Sequence, residues 1–135
     1  MKIGKVVLVL TQELDFHADM VIRELQRRGI EVIRFNTADF PLRSTLKAYY
    51  DGDLWNTLLS FQGRTVRFDA IKSILYRCPT PFEVDEHLTP AGQQFATAEA
   101  RVAIGGLLRS LDCLWVNHPE RTVTADYKPT GCATR

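Results

Sequence analysis

Val6-Val7-Leu8-Val9-Leu10 is an unbroken apolar run rich in β-branched residues. Such a run suits a parallel strand buried on both faces, since a strand with one wet face would alternate polar and apolar. Thr11 to Leu14 makes a turn, and Asp15 is placed to cap a helix by accepting from its first free N–H groups. Ala18, Val21, Ile22 and Leu25 then recur at the spacing of one helical face. Arg27 and Arg28 suit the negative end of the helix dipole, and Gly29 can take the left-handed conformation that ends a helix. Glu31 to Phe35 reads as the next strand, so the opening third is a β-α-β unit with an expected right-handed crossover.

Beyond Asn36-Thr37-Ala38-Asp39-Phe40-Pro41, a polar turn closed by proline, the period changes. Leu46 to Tyr50, Leu54 to Phe61 and Thr65 to Phe68 read as short antiparallel strands, separated by hairpin-type turns at Asp51-Gly52-Asp53 and Gln62-Gly63-Arg64. This meander is either an extension of the main sheet or a flap over it. Asp69 to Lys72 can make one helical turn, and Ser73 to Arg77 returns as a strand that Cys78-Pro79-Thr80-Pro81 stops. Phe82 to Leu88 is an acidic loop. Thr89-Pro90 starts a helix, with threonine as cap and proline in the first helical position. It should run to about Ser110, with Ala91, Phe95, Ala98 and Val102 as its buried stripe and Gly105-Gly106 allowing close approach to the sheet. Cys113 to Asn117 is the last strand. The expected fold is α/β, a three-layer open, mainly parallel sheet with an antiparallel hairpin insertion.

A chain of 135 residues with 45% hydrophobic and 24% charged residues has the composition of one globular domain. The net charge of +1, with Lys and Arg scattered, gives no field that would select nucleic acid or a membrane surface. No apolar run reaches the ~20 residues of a membrane span. Cys78, Cys113 and Cys132 form no Cys-x-x-Cys pair, and reduced thiols in a cytoplasmic protein are expected.

Chemical signals are sparse. The first strand-to-helix turn, Thr11-Gln12-Glu13-Leu14-Asp15, has no glycine fingerprint and carries two carboxylates, which repel phosphate. A receiver-like acidic pocket would need an aspartate at a later strand end, where the chain has Phe35-Asn36 and Arg77-Cys78. His17, His87 and His118 share no metal-ligand spacing, and no serine or cysteine nucleophile has a partner; no catalytic or metal residue is assigned. Arg77 ends a strand at the edge where open α/β sheets place their sites. Its guanidinium can hold a carboxylate or phosphate, or else pair with a loop carboxylate such as Glu83. Lys128, after Ala125-Asp126-Tyr127, can open a helix and reach nucleotide phosphates, or simply stay solvated.

Five segments together resemble the N-terminal portion of the ATP-grasp ribosomal peptide maturases, the microviridin or graspetide ligases. They are Val7 to Thr11, Asp15 to Gly29, Arg34 to Pro41, Ser73 to Pro79, and Leu114-Trp115-Val116-Asn117-His118-Pro119 through Lys128. The resemblance implies a pre-ATP-grasp, Rossmann-like domain over residues 1–128, with 129–135 as a truncated tail where the ATP-grasp domain would begin. It implies an enzyme that uses ATP and Mg2+ to phosphorylate a Glu or Asp side chain of a precursor peptide. A Thr or Ser hydroxyl then attacks to give an ester, or a Lys amine to give an amide. It implies Lys128 as an ATP contact and Arg77 as a substrate contact.

The chain departs from the family in two places. Many relatives carry a second arginine where Cys78 stands, and Pro129-Thr130-Gly131-Cys132-Ala133-Thr134-Arg135 does not continue the family's next helix. The expectation is an inactive isolated domain that binds no ATP or Mg2+ stably. The alternative is a non-catalytic module that docks on a full-length maturase, a precursor peptide or a second copy of itself.

Overall fold

The computed structural model describes residues 6–117. Lys128, His118, Cys132 and the 129–135 segment lie outside the described residues. Strands β1 (Val6–Leu10), β2 (Glu31–Phe35), β6 (Ile71–Tyr76) and β7 (Leu114–Val116) form a sheet in the order β2-β1-β6-β7. Every pairing in it is parallel. Between β2 and β6 the chain builds β3 (Ser44–Tyr50), β4 (Trp55–Phe61) and β5 (Arg64–Arg67), a separate antiparallel sheet. The meander is therefore a sheet of its own and no extension of the parallel sheet.

The apolar run of β1 divides its side chains between two cores, as a strand alternates faces. Leu8 and Leu10 go to one face, with Ile33, Phe35 and Ile74; there they meet Leu59, Phe61, Val66 and Phe68 of the insertion and Ile104 and Leu108 of helix α2 (Pro90–Arg109). Val9 goes to the other, with Val32, under Ala18, Ile22 and Leu25 of helix α1 (Phe16–Arg27). The helices thus lie on opposite faces of the sheet, which gives the expected three layers.

Both caps form as the sequence indicates: Asp15 accepts from the Ala18 N–H and Thr89 from the Gly92 N–H. Glu24 gathers Arg27 and Arg28 in the last turn of α1, and Gly29 follows at φ +77°. The strands of the insertion begin slightly away from the expected positions, and a 3-10 turn at Phe68–Ala70 replaces the turn expected from Asp69.

The buried side of α2 is the main correction. Ala91 and Ala98 are exposed, as are Phe95 (68%) and Val102 (70%), whereas Ala100, Ile104 and Leu108 are buried. At 3.6 residues per turn the two sets fall on roughly opposite sides of the helix. Gly105 and Gly106 have open space where a side chain would stand, so close approach to the sheet is not their role. Ile104→Ala should therefore destabilise the fold by about 2–5 kcal/mol, and Val102→Lys by less than about 0.5 kcal/mol. Urea unfolding midpoints of the two variants check this; the reverse order would place the other stripe inside.

Candidate functional site at the carboxyl edge

The chain leaves β1 for β2 on one side and β6 for β7 on the other. The reversal point of the sheet therefore lies between the carboxyl ends of β1 and β6, where open α/β sheets form a crevice. Two loops meet there, Thr11 to Leu14 and Arg77 to Pro81.

They are stitched together. The Arg77 N–H donates to the Leu10 carbonyl (2.9 Å), the Gln12 N–H to the Cys78 carbonyl (3.0 Å) and the Cys78 N–H to Thr11 Oγ1 (3.4 Å). Across the same gap Arg77 donates from Nε to Asp15 Oδ2 (3.0 Å) and from Nη2 to Asp15 Oδ1 (2.9 Å). The Thr11 hydroxyl donates to Asp15 Oδ2 at 2.6 Å. With the Ala18 N–H as well, the Asp15 carboxylate accepts four hydrogen bonds while its side chain is only 5% exposed.

Burial by itself would raise the Asp15 carboxyl pKa. The hydrogen bonds from Arg77, Thr11 and the Ala18 N–H outweigh that and hold it well below the usual carboxylate range. A carboxylate held this low is a weak base near neutral pH, so the Thr11–Asp15 pair is no nucleophile and base. The arrangement is a clasp that fixes the two loops.

Arg77 therefore sits at the strand end where it was expected, but its carboxylate partner is Asp15 rather than Glu83. Glu83 instead takes Arg43 (2.5 Å), which also pairs with Asp39 (2.7 Å). Sequence reasoning found Asp15 as a cap and missed its second role. The signal was a capping aspartate on one strand-to-helix turn and an arginine ending another strand, but that those strands are neighbours was not legible.

Two more residues extend the stitching. Asn36 Oδ1 accepts from the Ala38 and Thr80 N–H groups, and its amide donates to Thr80 Oγ1, tying the end of β2 to the loop after β6. Arg34 pairs with Asp19 and donates from Nη2 to the carbonyls of Gln12 (2.9 Å) and Glu13 (2.8 Å), strapping the first loop to β2.

His17 and His87 are exposed, and among the described residues no three His, Cys, Asp or Glu side chains gather as metal ligands. Among the same residues no helix is long and apolar enough to cross a membrane. Cys113 carries a free thiol, and Cys78 is buried. The described residues do not fit a nucleotide–metal site. The reversal point is filled by the Asp15–Arg77 clasp, and Glu13 stands on the turn that would have to cradle phosphate.

A family model described as the MvdD pre-ATP grasp domain matches residues 6–123. Among solved structures, the chain is similar to macrocyclase MdnB from Microcystis aeruginosa MRC, with 22% identity and a TM-score of 0.81, over 90% of this chain and 40% of that one. It is similar to macrocyclase MdnC of the same organism, bound with precursor peptide MdnA, with 18% identity and a TM-score of 0.79, over 92% and 40%. It is also similar to a RiPP-associated ATP-grasp ligase of Chryseobacterium gregarium in complex with ADP and a leader and core peptide. Here identity is 26% and the TM-score 0.80, over 93% and 38% of the two chains. The chain thus spans about 40% of the length of these proteins. None of the curated proteins compared matches it.

Proposed function

The chain belongs to the MvdD pre-ATP-grasp domain family, and from that premise we propose that it serves as the N-terminal domain of an ATP-dependent peptide ligase. Such an enzyme joins side chains of a ribosomally made precursor peptide through esters or amides. The observation that carries the reading is the family match over residues 6–123; the fold shared with two macrocyclases and an ATP-grasp ligase supports it. ATP and Mg2+ supply the activation of the carboxylate in this chemistry, and its demand for ATP is what supports a cytoplasmic setting. Lys128 is the residue proposed to contact ATP. Arg77 is proposed to lie on the substrate side, as part of the fixed carboxyl edge.

Because the described residues offer no phosphate cradle, the 135-residue chain by itself should turn over no ATP. A coupled ATP-hydrolysis assay with a graspetide-type precursor checks this, and turnover by the chain alone would refute it. Grafting residues 1–128 in place of the matching domain of MdnB tests the ligase reading itself. A folded chimera should still remove water from its precursor, as read by mass spectrometry; a folded chimera that binds ATP but leaves the precursor mass unchanged counts against it.

A docking role on a full-length maturase is the second reading. It is favoured by the apolar stripe, with Phe95 and Val102, that α2 leaves on its outer side. Co-elution with a full-length homologue in size-exclusion chromatography is the expected result there, and separate elution would dismiss it.

A further inference from the structure

β3 is an outer strand of the antiparallel sheet, and among the described residues it pairs only with β4. From Thr45 to Tyr50 every residue but Leu46 is exposed. The Asp51 N–H donates to the Leu54 carbonyl at 3.2 Å, so Asp51 directs its backbone groups towards β4. Backbone groups of successive strand residues point to opposite sides. Tyr49, Lys47 and Thr45 therefore share that direction, and Tyr50, Ala48, Leu46 and Ser44 turn their N–H and C=O groups to the open edge.

An open edge is a template for another strand, and proteins blunt such edges with proline, bulges or charge. β3 has no proline, pairs with β4 in unbroken register and carries one charge, Lys47. Its burial also falls along its length. Ser44 at one end is buried; Tyr50 at the other is exposed, with its ring 5.6 Å from that of the exposed Trp55. The free end of the hairpin overhangs its own core.

A second copy paired antiparallel along this edge answers both features. Outward-facing residues bond only to outward-facing residues, which limits the registers. Full overlap of the two strands sets Lys47 opposite the partner's Lys47, and like charges directly opposite are destabilising. The next register towards the free ends puts Ala48 on the two-fold axis, facing the partner's Ala48. Leu46 then opposes the partner's Tyr50 on the core side. On the other side Lys47 opposes the partner's Tyr49, an aromatic ring of the kind that Lys47 already approaches at 6.0 Å within its own chain. Each overhanging end lies beside the covered end of the other copy. We propose that the outer edge of β3 is a docking surface for a second copy of this chain, paired antiparallel about Ala48, so that the two three-stranded sheets become one.

Light scattering of the 135-residue chain over a concentration series should show a monomer–dimer equilibrium. Ala48→Lys sets two lysines face to face on the axis and should weaken dimerisation about tenfold or more. Val102→Lys on the outer side of α2 should leave it unchanged, and circular dichroism confirms that each variant folds. Opposite residues of a hydrogen-bonded pair stand about 5.5 Å apart at Cα, within the reach of a disulfide. In a Cys113→Ser background, Ala48→Cys should therefore add a covalent dimer under mild oxidation, and Lys47→Cys should add little.

A monomer at every concentration overturns the proposal, as does a dimer indifferent to Ala48→Lys. A dimer broken by Val102→Lys instead assigns the contact to α2, and crosslinking of Lys47→Cys as fast as Ala48→Cys removes the register. None of these readouts involves nucleotide or precursor, so the proposal stands or falls apart from the ligase reading that the chimera tests.

Discussion

Asp15→Ala should lower the unfolding free energy by about 3–5 kcal/mol, the cost of removing one partner of a buried ion pair. Arg77, with a side chain only 19% exposed, would lose both of its bonds to that carboxylate. The α1 cap goes with it, worth about 1 kcal/mol. Set against a typical total of about 5–15 kcal/mol, this brings the domain close to unfolding. Equilibrium urea unfolding measures it.

The double variant Asp15→Ala with Arg77→Met should recover part of the loss, because it removes the largely buried guanidinium together with its carboxylate. A double variant no more stable than the single one would show that the cap and the Thr11 bond carry the effect. The pH dependence follows from the same geometry. The folded-state carboxyl pKa of Asp15 lies below its unfolded value of about 3.9. Its contribution is therefore complete above the unfolded value and drains away as the pH falls towards the folded one. Asp15→Asn should lack that part of the acid limb. Acid titration of both proteins by circular dichroism compares the slopes, and equal slopes would assign acid unfolding to other carboxylates.

Phe35→Ala is the second large expected effect, about 3–5 kcal/mol. Phe35 is 2% exposed, and its ring meets that of Phe61 with centroids 4.8 Å apart. The contact joins β2 of the parallel sheet to β4 of the insertion, two sheets that share no strand pairing. The cavity would open at their junction and leave each ladder intact. Amide exchange should consequently rise more in β3–β5 than in β1 and β6. A uniform rise across both sheets would mean that they unfold as one unit.

How far the fold could be read in advance depended on whether an element's partner was local. The β-α-β opening was legible because Asp15, the Ala18–Leu25 face and Gly29 each carry their own short-range signal. Thr89-Pro90 was legible for the same reason. The buried side of α2 was not. Ala91, Phe95, Ala98 and Val102 make an apolar stripe as regular as Ala100, Ile104 and Leu108, and periodicity alone does not say which one faces a sheet. Position did: the buried set lies nearer the end that leads into β7, where the helix returns over the sheet. At the site, Arg77 was found from its place at a strand end. Its partner was hidden because the pairing of β1 with β6 joins residues far apart in sequence. Arg34 was noticed only as part of a resembling segment, and its strap on the first loop needs the β1–β2 pairing to be visible.

The antiparallel insertion also bears on how the chain reaches this arrangement. Leu8 has two strand neighbours, Ile33 nearby in sequence and Ile74 far along it. The second contact closes a long loop, and loop closure grows costlier with the length of free chain. Much of the chain between β2 and β6 in that loop is β3, β4 and β5, joined by tight turns whose pairings are local. Once those hairpins have formed, the chain between β2 and β6 behaves as a folded spacer with far fewer free links. The insertion thereby acts as a kinetic shortcut, turning the most distant pairing of the central strand into one between neighbours.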